Sequence, residues 1–401
     1  MSAVGRRDTT ILQEPSCDRA GFPPFVPAMI KRRINVPYNG LLFQKAPHMS
    51  DSESRTIEAL KSLWQRVLKR PIALDDNFFD VGGTPFLADE LFREITKISG
   101  RVIPSVAIYH APTIKNLAAL ITKSSPTYRC PALLLMKAGD ESPPIFMAPG
   151  MGGDVTQFFE VARHIQLRHS LYGMQPQGLD GANDPPLEIG DIAHFYLREI
   201  EKMQPAGPYL LVGYSLGGLI TLEIARLLVD RKKEVPLLVM VDSYPHMGKL
   251  AAGQQIRLLG RLAGHRFSSM LRMKSSPRDT QSERPNKLAD RTLAVAANRV
   301  RVAQFNAWKK YRPRFYNGKI TFIRAGTVTH FPADPFAVWR RLARDLEVET
   351  IPGDHVGILI AHAQHLANTL SYHLTDALGG HELHRKHLEF GVSSKPCDHK
   401  P

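Results

Sequence analysis

Residues 208–228 read PYLLVGYSLGGLITLEIARLL: an apolar run, a serine between glycines, then Leu219, Leu222, Ile224, Ala225 and Leu228 at helical spacing. Strand, sharp turn and helix in that order are the setting in which a G-x-S-x-G match carries chemical meaning. The glycines have a steric reason, because side chains at Gly213 or Gly217 would collide with the neighbouring strand or helix. Ser215 is therefore expected at the top of a sheet, at the positive end of the following helix. There the Leu216 N–H is free to bind an oxyanion.

A nucleophilic serine needs a base, and the base needs a group to orient it. The next apolar run, PLLVMVD, ends at Asp242, and IPGDHVGIL places His355 in a loop before a long C-terminal helical pattern. The chain order Ser215, Asp242, His355 is the one expected of an α/β-hydrolase. Asp242 has a plainer reading, as a cap at the end of a strand. Most other histidines, including His381, His384 and His387, lie in polar sequence that reads as surface. His362 and His365 have a spacing compatible with metal binding, but no carboxylate pattern or third ligand accompanies them, so no metal site is predicted.

Outward from this centre the short apolar runs IFMA, LYGM, YLLVGY, LLVMVD and ITFIR alternate with amphipathic helical stretches. That alternation predicts an α/β fold, a mostly parallel sheet covered by helices on both faces, over residues 131–378. Residues 51–123 are helical in pattern and are predicted to form a separate small bundle. Ile57, Leu60, Trp64, Val67 and Leu68 share one face, Leu87, Leu91, Ile95 and Ile98 a second, and Ile114, Leu117, Ala118 and Ile121 a third. Residues 124–130 read as a linker and 379–401 as a polar tail. Residues 1–50 mix prolines and charges without periodicity, so no fold is assigned and partial disorder is expected.

No apolar run reaches the ~18 residues a membrane helix needs, and the first residues lack a charged-then-apolar leader, so the chain reads as soluble and cytoplasmic. Cys17, Cys130 and Cys397 have no disulfide, zinc or redox spacing. The formal charge is +14, and residues 249–314 hold 16 Lys and Arg against Asp279, Glu283 and Asp290, a net +13 for that segment. Such a basic stretch suits an anionic partner or a solvated helical face. Without interleaved aromatics or a nucleic-acid motif, no nucleic-acid partner is predicted.

The helical region resembles a phosphopantetheine carrier domain of nonribosomal peptide and polyketide synthases. The resemblance rests on DDNFFDVGG (75–83) and GRVIPSVAIYHAPTIKNLAALI (100–121) at the family's interval. In that family the serine two residues beyond the glycine pair accepts the phosphopantetheine arm. Here that position is Pro85, which has no hydroxyl, so no attachment is expected there. Thr84 is the nearest hydroxyl, one residue early; its better reading is N-cap to a helix whose first position Pro85 suits.

The larger region resembles the type I thioesterases that terminate such assembly lines. The similar motifs, in order, are PPIFMAPGMGGD, YGMQPQGLDG, QPAGPYLLVGYSLGG, LLVMVDS, GKITFIRAG and PGDHVGIL. The resemblance implies Ser215 as nucleophile, His355 as general base and Asp242 as its orienter. It makes the N–H groups of Gly150 and Leu216 the oxyanion hole, with Met151 the close alternative to Gly150. It also implies a lid at about residues 249–307. The implied function is release of an acyl or peptidyl group from a thioester through an acyl-serine intermediate, by hydrolysis or cyclisation. No intrinsic cofactor is implied: phosphopantetheine arrives on a partner carrier protein, on a synthase module or as coenzyme A. An oxygen-ester hydrolase and a non-catalytic docking protein are the competing readings.

Overall fold

In the computed structural model, the described residues are 51–122, 128–250, 252, 253, 255–257, 259, 289–327, 332 and 334–379. The readings of residues 1–50, of linker positions 124–127, of the middle of the basic lid and of the tail beyond 379 lie outside them.

The helical region comprises α1 (Asp51–Leu68), α2 (Pro85–Ser99), the single turn α3 (Ala107–His110) and α4 (Ile114–Thr122). Trp64 and Phe78 are fully buried and meet edge to face with centroids 5.1 Å apart. Burial of side chains this large contributes ~1.5–3 kcal/mol apiece and fixes the long loop between α1 and α2. The buried stripe of α2 runs through Ala88, Leu91, Phe92 and Ile95. Ile98, predicted to point inward, is 61% exposed. It lies in the last turn of α2, on the rim of an open groove shared with Ala59 and Ile121, where none of the described residues covers it.

The sheet region contains β1 (Leu133–Lys137), β2 (Glu141–Ala148), α5 (Phe159–His164), β3 (His169–Met174), α6 (Ile189–Met203), β4 (Leu210–Tyr214), α7 (Leu216–Asp230) and β5 (Leu237–Val241). Beyond these lie α8 (Ala289–Lys310), β6 (Tyr316–Ala325), α9 (Pro335–Trp339), β7 (Ala343–Ile351) and α10 (Ala363–Ala377). The strands pair in the order β1-β3-β2-β4-β5-β6-β7, with β1 antiparallel to β3 and every other pair parallel.

Alternation along each strand sorts its side chains onto two faces. Phe146, Leu211, Leu238, Met240 and Phe322 face α6 and α7, whereas Ile145, Met147, Val212, Val239 and Val241 face α5 and α10. Both faces are dry, which explains why β4 and β5 are apolar throughout. The parallel run brings the C-terminal ends of β2, β4 and β5 to one edge, where Ala148, Tyr214 and Val241 stop and the loops begin.

The two predicted cores are not separate. The apolar cluster of the helical region continues through Tyr128 and Leu134 to Val155 and Phe159 in the sheet region. The Cys130 N–H, inside the predicted linker, is fixed on the Asp180 carboxylate at 2.9 Å.

Candidate functional site

Ser215 occupies the turn between β4 and α7 at φ 53°, ψ −118°, a conformation that costs a non-glycine residue ~1–3 kcal/mol. The surroundings hold it there. Its N–H donates to Val241 O at 2.9 Å. A Cβ on Gly213 would stand 2.3 Å from the Gly217 carbonyl oxygen, and one on Gly217 2.1 Å from that of Ala148. Backbone supplies those contacts and cannot step aside, which is why glycine brackets the serine. Leu216, as the first residue of α7, has no intrahelical acceptor for its N–H.

Three side chains far apart in sequence meet at this turn. His355 Nε2 lies 3.0 Å from Ser215 Oγ, and His355 Nδ1 lies 2.8 Å from Asp242 Oδ2. Asp242 is 5% exposed, and its other oxygen accepts the Ala325 N–H at 3.3 Å. That bond fixes the carboxylate plane and leaves Oδ2 for the histidine. Asp242 itself has φ 44°, and its N–H is held by Ile323 O at 2.8 Å. With a carboxylate on Nδ1, the imidazole keeps a proton there and presents the Nε2 lone pair to the serine hydroxyl.

One predicted site residue has its N–H already engaged. The Gly150 N–H donates to Gln157 Oε1 at 2.9 Å, and an N–H so engaged cannot meet an oxyanion without giving up that bond. The Gly152 N–H is likewise held, by Gln304 Oε1 of α8 at 2.7 Å. Between them, the Met151 N–H has no acceptor among the described residues, which makes it the candidate donor in place of Gly150. His362 and His365 lie at the start of α10, and the described residues contain no group of three or more His, Cys, Asp or Glu able to hold a metal ion.

Three neighbours had gone unread in the sequence. Tyr214 stacks on His355 with ring centroids 4.9 Å apart and donates its hydroxyl to His355 O at 2.7 Å. Its position beside Ser215 was the available signal. Gln157 and Gln304 gave none: neither stands in a motif, and Gln304 reaches a backbone N–H 152 residues away.

At the attachment position, α2 begins with Thr84 as N-cap and Pro85 inside its first turn. Thr84 Oγ1 accepts the Leu87 N–H at 3.3 Å. Pro85 does not fit a phosphopantetheine arm, since its side chain offers no oxygen, and the threonine hydroxyl stands one residue early, engaged as acceptor in the cap.

A mostly parallel sheet with helices on both faces and a serine, histidine and acid at its C-terminal edge defines an α/β-hydrolase. Residues 143–374, more than half the chain, match the family model described as thioesterase domain, and the chain belongs to that family. Residues 58–121 match the model described as phosphopantetheine attachment site, so a carrier-type domain precedes the thioesterase domain. Phosphopantetheine is the group the carrier family holds covalently, and Pro85 marks this chain's departure from it.

Among curated relatives, the dimodular nonribosomal peptide synthase of Bacillus subtilis (strain 168) is 33% identical over 190 residues, covering 47% of this chain and 8% of that protein. Indigoidine synthase of Dickeya dadantii (strain 3937) is 32% identical over 167 residues, covering 41% and 11%. The chain thus spans a small part of these relatives' length. A crystal structure of a holo four-domain nonribosomal peptide synthetase bound to AMP and glycine superposes with a TM-score of 0.50 at 21% identity, over 84% of this chain and 27% of that one. That likeness concerns the fold. No described helix is long and apolar enough to cross a membrane.

Proposed function

We propose that the chain releases an acyl or peptidyl group from a phosphopantetheine or coenzyme A thioester in synthase-type biosynthesis, using Ser215 as nucleophile, His355 as base and Asp242 as orienter. Ser215 Oγ attacks the thioester carbonyl as His355 Nε2 takes its proton. The Leu216 and Met151 N–H groups receive the negative charge that develops on the carbonyl oxygen. Collapse breaks the C–S bond, and the imidazolium returns the proton to the leaving sulfur. The acyl-Ser215 ester then passes to water, or to an amine or hydroxyl of the acyl chain itself, by the same steps in reverse. With Pro85 in the attachment position, the substrate arrives on another carrier protein or as a coenzyme A thioester.

The observation that carries this reading is the His355 ring, with one nitrogen 3.0 Å from Ser215 Oγ and the other 2.8 Å from the Asp242 carboxylate. The strain at Ser215 supports it as well, since a merely structural serine gains nothing from it. Treatment with an active-site fluorophosphonate, followed by mass mapping, tests it. The label is expected on Ser215, and its absence there would remove the enzymatic reading and leave the docking-protein alternative.

A further inference from the structure

We infer that the carrier-type helical region, which lacks an attachment residue, serves as a fixed brace for the loop that carries Met151, one of the two proposed oxyanion donors. This rests on the acyl-transfer reading of the Ser215 site and assigns the helical region a part in it.

A carrier that delivers an arm must approach and leave its enzyme. Leaving is costly here, because the core of the helical region is completed by the sheet region. Its aromatic series runs from Trp64 to Phe78 and Phe79 and then across to Phe159, with successive centroids 5.1, 5.4 and 5.4 Å apart; Tyr109 packs on Phe79 at 4.5 Å. Leu134, Val155 and Phe159 are 2%, 0% and 7% exposed within that same cluster. Undocking would open all three to water. Unlike the attachment chemistry, the packing has been kept, and packing is what a brace requires.

The residues it grips are specific. Val155 and Phe159 flank Gln157 in the short 3-10 turn Val155–Phe158 and at the start of α5. Gln157 is the side chain that holds Gly150. The turn is started by Asp154, which accepts the Thr156 N–H at 2.8 Å. Phe79 therefore presses on Phe159, Phe159 and Val155 fix the turn, and the turn aims Gln157 at Gly150, one residue from Met151. From the opposite side Gln304 of α8 holds Gly152. The Met151 N–H is thus aimed by two glutamines, one set by the lid-side helix and the other by the helical region. Gln157 is a positioning residue, and the helical region positions it.

The full-length Phe79→Asp variant tests the brace, because it puts a charge into the contact with Phe159. Amide hydrogen exchange in residues 150–163 is expected to rise, and kcat on a short uncharged thioester to fall about 10- to 100-fold with KM little changed, as for a slightly misplaced oxyanion donor. Phe79→Leu should restore most of the rate. Gln157→Met, which leaves the aromatic contact alone, should reproduce the loss of kcat. If Phe79→Asp fails to fold, Phe79→Ala carries the same test without the charge. Unchanged exchange, raised exchange with wild-type kcat, or a fully active Gln157→Met would each overturn the inference. Absence of turnover and of Ser215 labelling in the wild type would instead overturn the acyl-transfer reading beneath it.

Discussion

Tyr214 closes over His355 from the strand side: the phenol donates to the histidine's own carbonyl at 2.7 Å while the rings stack at 25°. The residue beside the proposed nucleophile thereby holds the proposed base. Tyr214→Phe keeps the stack and loses one hydrogen bond, a contact worth ~0.5–1.5 kcal/mol. The expected result is a two- to tenfold drop in kcat, roughly that energy converted to rate, with unchanged KM. Tyr214→Ala should cost more, and steady-state kinetics on one thioester will separate the two.

In the proposed mechanism Ser215 and His355 act on one proton, so their losses should not add. Each alanine variant is expected to lower thioester turnover by about 10⁴-fold or more, with the double variant little worse. Multiplying losses would mean that the two residues do not work as a unit.

A cleft of about 690 Å³ beside the start of the lid is lined by Lys249, Arg257, Arg312, Arg340 and Arg341, with Asp334 its sole acid among the described residues. Neutralising Arg340 and Arg341 together should raise KM for coenzyme A or carrier-bound thioesters and leave short uncharged thioesters unaffected. The difference should shrink as salt is added. Equal effects on both substrate classes would detach the basic cleft from substrate capture. Arg261, Arg266 and Arg272, in the same basic segment, lie outside the described residues and are best varied separately.

Incubation of the wild-type chain with coenzyme A and a broad phosphopantetheinyl transferase should add no mass to residues 51–122. Pro85→Ser should accept the arm at least in part, since DNFFDVGG and α2 remain, and serine is tolerated in a first helical turn. Intact-mass measurement distinguishes the two chains. Modification of wild-type Thr84 would mean that the cap hydroxyl is available after all.

Withdrawal from water raises the Asp154 carboxyl above its ordinary value of 3.8, against the opposing hydrogen bonds from Thr156. A raised carboxyl binds its proton more tightly in the folded state than in the unfolded chain. Its contribution to stability is therefore greatest at low pH and declines as pH rises through the folded value. Asp154→Asn has no such titration, so its melting temperature should gain on that of the wild type as pH climbs from about 4 toward neutrality. A gap independent of pH would show that the carboxyl is better hydrated than its position implies.

What could be read from the sequence was local or periodic. The central strands β2 to β6 were legible because both faces of the sheet are covered, leaving runs such as LLVGY and LLVMV with no polar residue. The edge strand β7, ARDLEVETI, was missed: half its side chains face water, and its charges hide the alternation. Ser215, Asp242 and His355 could be named because each stands at a strand or loop end with a motif of its own, and so could Thr84 and Pro85, since a cap depends only on neighbours along the chain.

Tertiary structure alone decided which N–H groups remain free around Ser215. That depends on where the ends of two glutamine side chains fall: Gln304 is 152 residues from the glycine it holds, and Gln157, though near in the chain, stands in no motif that announces the bond. It also decided that the helical region shares its core with the sheet region. An apolar residue such as Phe79 or Val155 declares in sequence only that it avoids water, and the surface it meets is set by the packing of the whole chain.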